Sequence, residues 1–317
     1  MRYLVTGGAG FIGSNIVEGL LQRGHTVRVL DNFSTGRREN LATLLSDIEL
    51  VEGDVRSYHI VLKAAQGVEV ILHEAALPSV PRSIADPITT NEVNVIGTLN
   101  ILEAARQTGV RRVVYASSSS IYGDKGTEPK KESMTPNPLS PYAVSKLAGE
   151  EYCGVFSDLY GLETICLRYF NVFGKHQDPT SEYSAVIPRF IRSILRSEAP
   201  TIYGTGRQTR DFTHVDNVVA ANLLASEADC DSGLILNCAC GVPTSIADLV
   251  SEICSLTGRT VNATFSPSRK GEVLHSHADV SLAAKQIGYR PDVDFRDGLR
   301  RTIEALTDQE GEPRTRA

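Results

Sequence analysis

The segment SPYAVSK sets Tyr142 and Lys146 four residues apart. At the start of a helix, that spacing puts both side chains on one face. A free phenol ionises at a pH of about 10. A nearby ammonium, or the positive charge of an oxidised nicotinamide, favours the phenolate. Such a tyrosine takes the proton of an alcohol as hydride leaves the same carbon. Earlier in the chain, the serine run in SSSSIYG, Ser117 to Ser120, follows the apolar run RRVVYA and puts hydroxyls at the end of a buried strand. Taken alone, Tyr-x-x-x-Lys is a common solvated helix face, and a polar run after a strand is usually a loop. Their weight comes from a glycine loop near the start of the sequence.

That loop, TGGAGFIG, places Gly7, Gly10 and Gly13 between an apolar strand, YLVTG, and a helix, FIGSNIVEGLLQRG. Glycines let the backbone turn tightly and approach a pyrophosphate, which rests on the helix N-terminus. A lone glycine triplet is weak, but here an acid, Asp31, also ends the second strand, TVRVLD. Its carboxylate accepts from both ribose hydroxyls and repels a 2′-phosphate, so NAD is expected over NADP. Arg37 and Arg38 follow closely and temper that preference. Asp54, ending the third strand, reads either as a contact to the adenine edge or as a turn or helix cap in GDVRS.

These residues need a scaffold that holds them at the ends of strands. IELVEGD, VEVILHEAA, RRVVYASS and ETICLRYFNVFG read as strands three to six, and NEVNVIGTLNILEAARQTGV and PYAVSKLAGEEYCGVFSDLYG as long amphipathic helices. Alternation of this kind implies an α/β fold, a Rossmann-type doubly wound parallel sheet, with strands buried on both faces. After residue 173 the rhythm changes to shorter elements, which predicts a smaller C-terminal α/β substrate lobe. The expected division is residues 1–173 for the cofactor and 174–317 for the substrate, with the chain returning to the first part around 211–237. The tail QEGEPRTRA is expected to be disordered.

Composition narrows the function classes. A net charge of −6 argues against a general nucleic-acid surface. No apolar run is long enough to span a bilayer, and the chain opens on a strand rather than on a cleavable apolar segment. The six cysteines have no paired CxxC spacing, and Cys238-Ala239-Cys240 reads as an alternating strand rather than a metal clip. The expectation is therefore a cytoplasmic protein with no metal, no nucleic-acid partner and no membrane partner.

Taken in order, TGGAGFIG, HEAA, NVIGT, SSSSIYG, YAVSK and RYFNVFG resemble the extended short-chain dehydrogenase/reductase family, and most closely its NAD-dependent nucleotide-sugar 4-epimerases. The resemblance runs from Tyr3 to about Leu306. It implies that Ser118, Tyr142 and Lys146 are catalytic. It implies NAD contacts at Gly7, Gly10, Phe11, Ile12 and Gly13, at Asp31 and Asn32, and at Asp54 and Val55. Further contacts are implied at Ala75, Ala76, Asn94, Lys146 and Tyr169. The nicotinamide would stay bound and be regenerated in each turnover. A homodimer is also implied, built from the long helices near 94–107 and 142–160.

Several reactions share this scaffold, so fold alone cannot choose between them. Sugar 4,6-dehydratases of the family carry Thr-Asp-Glu at the positions of Ser118, Ser119 and Ser120, and the UDP-glucuronate decarboxylases carry Thr-Ser-Glu. Serine hydroxyls cannot replace those carboxyls as acid and base. A 4-keto sugar formed here has little to do except take its hydride back, from either face. Strand-end hydrogen bonding is the favoured reading for Ser120, whereas Ser119 is placed against the sugar. For the substrate, the resemblance implies Arg210 and Arg269 at the diphosphate, Asn171 at the sugar-diphosphate, Ala185, Val186 and Tyr203 at uracil, and Glu272 at the ribose. Ser276 matches a gate beside the C2 substituent, and Ser79 and Val80 in SVPRS also point to the N-acetylhexosamine branch. UDP-N-acetylglucosamine/UDP-N-acetylgalactosamine interconversion is expected first, and UDP-glucose/UDP-galactose next. UDP-glucuronate ranks lower, because no cation dedicated to C6 is visible in the sequence.

Overall fold

The computed structural model describes residues 1–124, 127–178, 186–267 and 274–311, with side chains as far as residue 308. The first strands are β1 (Arg2–Thr6), β2 (Thr26–Asp31), β3 (Ile48–Glu52) and β4 (Val70–His73). They alternate with helices α1 (Phe11–Gln22) and α2 (Tyr58–Ala65). Then come α3 (Val80–Ala85), α4 (Pro87–Asn91), a π-helical turn over Glu92–Ile96, and α5 (Gly97–Thr108). Strand β5 (Arg112–Ser118), α6 (Pro141–Tyr160), β6 (Glu163–Tyr169) and β7 (Val172–Phe173) follow. The remainder holds α7 (Val186–Leu195), β8 (Thr201–Tyr203), β9 (Thr209–Asp211), β10 (Thr213–His214), α8 (Val215–Glu227) and β11 (Leu234–Cys238). It ends with β12 (Pro243–Ser245), α9 (Ile246–Thr257), β13 (Thr264–Ser266), α10 (Ser281–Ile287) and α11 (Phe295–Gly311).

Seven strands form one parallel sheet in the order β11-β6-β5-β4-β1-β2-β3. The order reverses between β1 and β4, which opens a crevice at the carboxyl ends of the strands. Two apolar layers cover the sheet. Tyr3, Val5, Val29, Leu72, Val114 and Leu167 belong to one, and Leu4, Leu30, Ile71, Val113 and Cys166 to the other. This alternation along each strand is what burial on both faces requires. Strand β11 joins the sheet beside β6, pairing Leu234 with Ile165 and Cys238 with Tyr169. A separate core of Phe173, Phe190, Ile191, Ile202, Leu249 and Leu299 fills the C-terminal lobe.

Two elements differ from expectation. The helix around NEVNVIGT is not uniform: its π turn precedes Gly97, where a Cβ would stand 2.7 Å from a Val55 methyl. Close approach of the helix to Val55 requires that glycine. At the other end of the chain, α11 continues through Gly311, so the first residues of the predicted disordered tail are helical. The rest of that tail lies outside the described residues.

Candidate active site

The crevice is a cleft of about 770 Å³. Its cofactor end is built by the glycine loop. Gly7 has φ +67°, and a Cβ there would stand 2.8 Å from the Ala75 backbone; at Gly13 it would be 2.2 Å from the Gly7 carbonyl. The N-cap of α1 is Gly10, with no side-chain cap, which leaves the helix's first N–H groups without a side-chain acceptor from that position. Gly10, Phe11, Ile12, Asn32, Val55, Ala75 and Ala76 line the same region. Asp31 ends β2 and is buried, with its carboxylate accepting from Ala9 N at 2.9 Å and Phe33 N at 2.8 Å. Each oxygen keeps a further lone pair for a ribose hydroxyl. Arg37 is paired with Asp178, and Arg38 with Glu52, so both cations beside Asp31 already face a carboxylate. A close-approach glycine loop, a helix N-terminus and a ribose acid together fit NAD.

Asp54 makes the turn cap read from GDVRS, through Arg56 N at 2.8 Å, and also borders the cleft, accepting from Asn32 Nδ2 at 2.9 Å. Hydrogen bonds from the Arg56 side chain hold its carboxyl down at about 2. Asn94 is buried, at 1% exposure. Its amide accepts from Leu77 N at 2.8 Å and donates to Ser145 Oγ at 3.0 Å, so it ties the loop after β4 to α6. Ser79 is likewise occupied, capping α3 through Arg82 N at 3.1 Å.

Ser118, Ser119, Tyr142 and Lys146 meet in the middle of the cleft. Ser140 caps α6 by accepting from Ala143 N at 3.1 Å, and Pro141 fixes the first turn. That geometry starts the helix so that Tyr142 and Lys146 share the face toward β5. Ser118 hydrogen bonds the Tyr142 phenol. Burial pushes that phenol up, the Ser118 bond lowers it, and Glu74 raises it. The Lys146 ammonium donates to Ala116 O at 2.8 Å, and burial pulls it down to about 8. The serine run divides by partner: Ser117 is bound to Glu150, and the Ser120 hydroxyl donates to a side chain, Ser118 Oγ at 2.9 Å, rather than to the backbone as expected.

At the other end, Val80, Asn171, Arg210 and Ser276 line the cleft. Asn171 has φ +34° and donates to Asp211 O at 3.3 Å. Val186 packs its side chain against the C-terminal core, and Tyr203 ends β8. Ala185, Arg269 and Glu272 lie outside the described residues.

Glu74 was not singled out from the sequence. It lines the cleft and accepts from the Tyr169 hydroxyl at 2.8 Å, whose oxygen accepts from Asn222 Nδ2 at 2.8 Å. Burial raises its carboxyl to about 7. The available signal was an acid directly after the buried run VILH.

The model of the NAD dependent epimerase/dehydratase family matches residues 3–239. The chain belongs to that family. Its cofactor is NAD. A UDP-glucose 4-epimerase of Mycolicibacterium smegmatis is 40% identical over 308 residues, covering 96% of this chain and 98% of that protein. Among solved structures, a UDP-N-acetylglucosamine 4-epimerase from Methanobrevibacter ruminantium, in complex with UDP-N-acetylmuramic acid, superposes with a TM-score of 0.93 at 37% identity, over 97% of this chain and 98% of that one. A Thermus thermophilus UDP-glucose 4-epimerase in complex with NAD gives 0.88 at 37% identity, over 97% and 99%.

Proposed function

We propose that this family member is a UDP-sugar 4-epimerase that interconverts UDP-N-acetylglucosamine and UDP-N-acetylgalactosamine, and also takes UDP-glucose and UDP-galactose. One observation carries the reading: Ser118, Tyr142 and Lys146 converge in the cofactor cleft while positions 119 and 120 are serines. When bound, NAD supplies the two-electron acceptor and donor at C4 of the sugar. The chain's own residues handle the proton. Tyr142 accepts it from the 4-hydroxyl and returns it, and Ser118 holds the phenol and the sugar hydroxyl in line. Lys146 supplies the positive charge that this exchange needs. No acid at 119 or 120 stands ready to expel a C6 hydroxyl.

Sugar choice rests on Ser276, a small side chain at the cleft wall that leaves room for an N-acetyl group. Room for a group does not exclude the smaller substrate, so both pairs are expected to turn over. Lys130 also lines the cleft, but its ammonium lies 3.3 Å from Glu128, which also faces His277 at 3.1 Å. That pairing offsets the charge a uronate would need, and it supports a neutral sugar. Arg210 in the cleft, with Arg269, would hold the diphosphate. We read 1–173 as the cofactor-binding part and 174–317 as the substrate lobe, with α8 and β11 returned to the first part. A cytoplasmic homodimer completes the reading. Val144, Val155 and Leu159 are exposed apolar side chains on α6, one of the two helices named for its interface, and Ile84 and Ile88 are exposed on the neighbouring α3 and α4.

Proton NMR of purified protein with UDP-N-acetylglucosamine, UDP-glucose and UDP-glucuronate, without added NADH, tests the proposal. The expected result is a C4-epimer mixture from the first two. A 4-keto-6-deoxy product, or no turnover of any UDP-sugar, would overturn it.

A further inference from the structure

Glu74 sits where β4 ends, on the floor of the cleft, and four titratable groups face it. Lys146 and Tyr142 come from α6, Tyr169 from β6 and Cys238 from β11. The glycine loop packs its backbone against Glu74, and α8 contributes the neutral Asn222. His73, the preceding residue, is turned to Thr6 and Thr98 instead. One Glu74 oxygen is fixed by the Tyr169 hydroxyl at 2.8 Å, and that hydroxyl is itself fixed by Asn222. Lys146, only 4% exposed, has a neutral carbonyl, Ala116 O, as its hydrogen-bond acceptor. A buried ammonium with a neutral acceptor needs an anion nearby to stay charged.

We propose that Glu74 is a positioning residue whose carboxylate is the counter-charge of the catalytic pair, fixing the pH range over which Lys146 remains an ammonium and Tyr142 exchanges its proton. This rests on the acid–base roles given above to Tyr142 and Lys146. The electrostatics agree in sign. Glu74 raises Lys146 against the lowering by burial, and it raises Tyr142 in addition to burial. Neutralising Glu74 therefore lowers both groups. The acid limb of the rate profile, which requires the Tyr142 phenolate, moves to lower pH, down to the point, at about 7, where Glu74 itself takes up its proton. The basic limb, which requires the Lys146 ammonium, moves the same way.

The test uses the NAD-loaded enzyme. The pH profiles of kcat/KM are compared for wild type, Glu74→Gln and Glu74→Asp, and the tyrosinate absorbance of each is titrated without sugar, with Tyr142→Phe as the blank. In Glu74→Gln both limbs, and the Tyr142 midpoint, are expected to fall by on the order of one pH unit. Glu74→Asp should return toward wild type. If Glu74→Gln does not fold, Tyr169→Phe replaces it: losing the bond that holds Glu74 down keeps the carboxyl protonated to higher pH, so the limbs again move down. Unmoved limbs and midpoint, or an activity loss uniform across pH, would overturn the inference. If Tyr142→Phe still turns over UDP-sugars, the proposed function itself fails. If Tyr142→Phe is inert and the limbs stay in place, only the role of Glu74 fails.

Discussion

Several side chains in the cleft have defined partners, and these partners predict what their loss will do. Tyr142→Phe removes the proposed proton acceptor and keeps the ring. The expected outcome is a kcat lowered by about 10²–10⁴-fold, with NAD still present in the purified protein, read by NMR turnover and cofactor content. His73 makes a second residue-level prediction. Thr98 donates its hydroxyl to Asn94 O at 2.6 Å, so it accepts from His73 Nε2, and Nδ1 accepts from Thr6 at 2.7 Å. This buried imidazole is neutral, and burial takes it down to about 3. Its folded pKa lies below the unfolded value, so its contribution is complete above about pH 6.5 and is lost as pH falls toward 3. In urea melts from pH 7 to 4, wild type should lose more stability than His73→Asn. An equal slope would rule out this source of acid sensitivity.

The elements that hold those side chains are joined by a few demanding contacts. Helix α6 carries Tyr142 and Lys146, and it is tied to β6 by Arg168 and Glu150 at 2.7 Å, both almost fully buried, with Ser117 of β5 on the same carboxylate. Glu150→Ala leaves a buried guanidinium without its anion. It should cost about 3–5 kcal/mol, seen as a lower denaturant midpoint. The glycine loop sets a different constraint. Any Cβ at position 13 meets the Gly7 carbonyl, so Gly13→Ala should shift the start of α1 and release NAD during purification. Retained NAD in that variant would remove the loop from the cofactor site.

At the scale of the whole molecule, the open question is what covers the apolar face of α3, α4 and α6. Leu159 is 70% exposed and Ile88 is 73% exposed, which is costly to leave in water unless a second copy covers them. Light scattering should give twice the 34.4 kDa chain mass for wild type, and a monomer for Leu159→Glu. A monomeric wild type would remove the homodimer from the proposal. Much of the molecule is legible in the sequence: strand and helix periods, the loop from Gly7 to Gly13, Asp31, and the Tyr142–Lys146 spacing are local patterns, set by a residue and its near neighbours. The backbone partners of Asn94 and Ser79 are not legible, because both residue types hydrogen bond backbone as readily as ligands, and only the folded loop shows that they meet Leu77 N and Arg82 N. The sequence by itself determined the sheet, the glycine loop and the helix that presents Tyr142 and Lys146. The tertiary structure decided that Lys146 is turned to Ala116, that Lys130 is already paired, and that Glu74 faces the catalytic pair. Those outcomes depend on charges brought together from distant segments, whose energies burial sets and no spacing encodes.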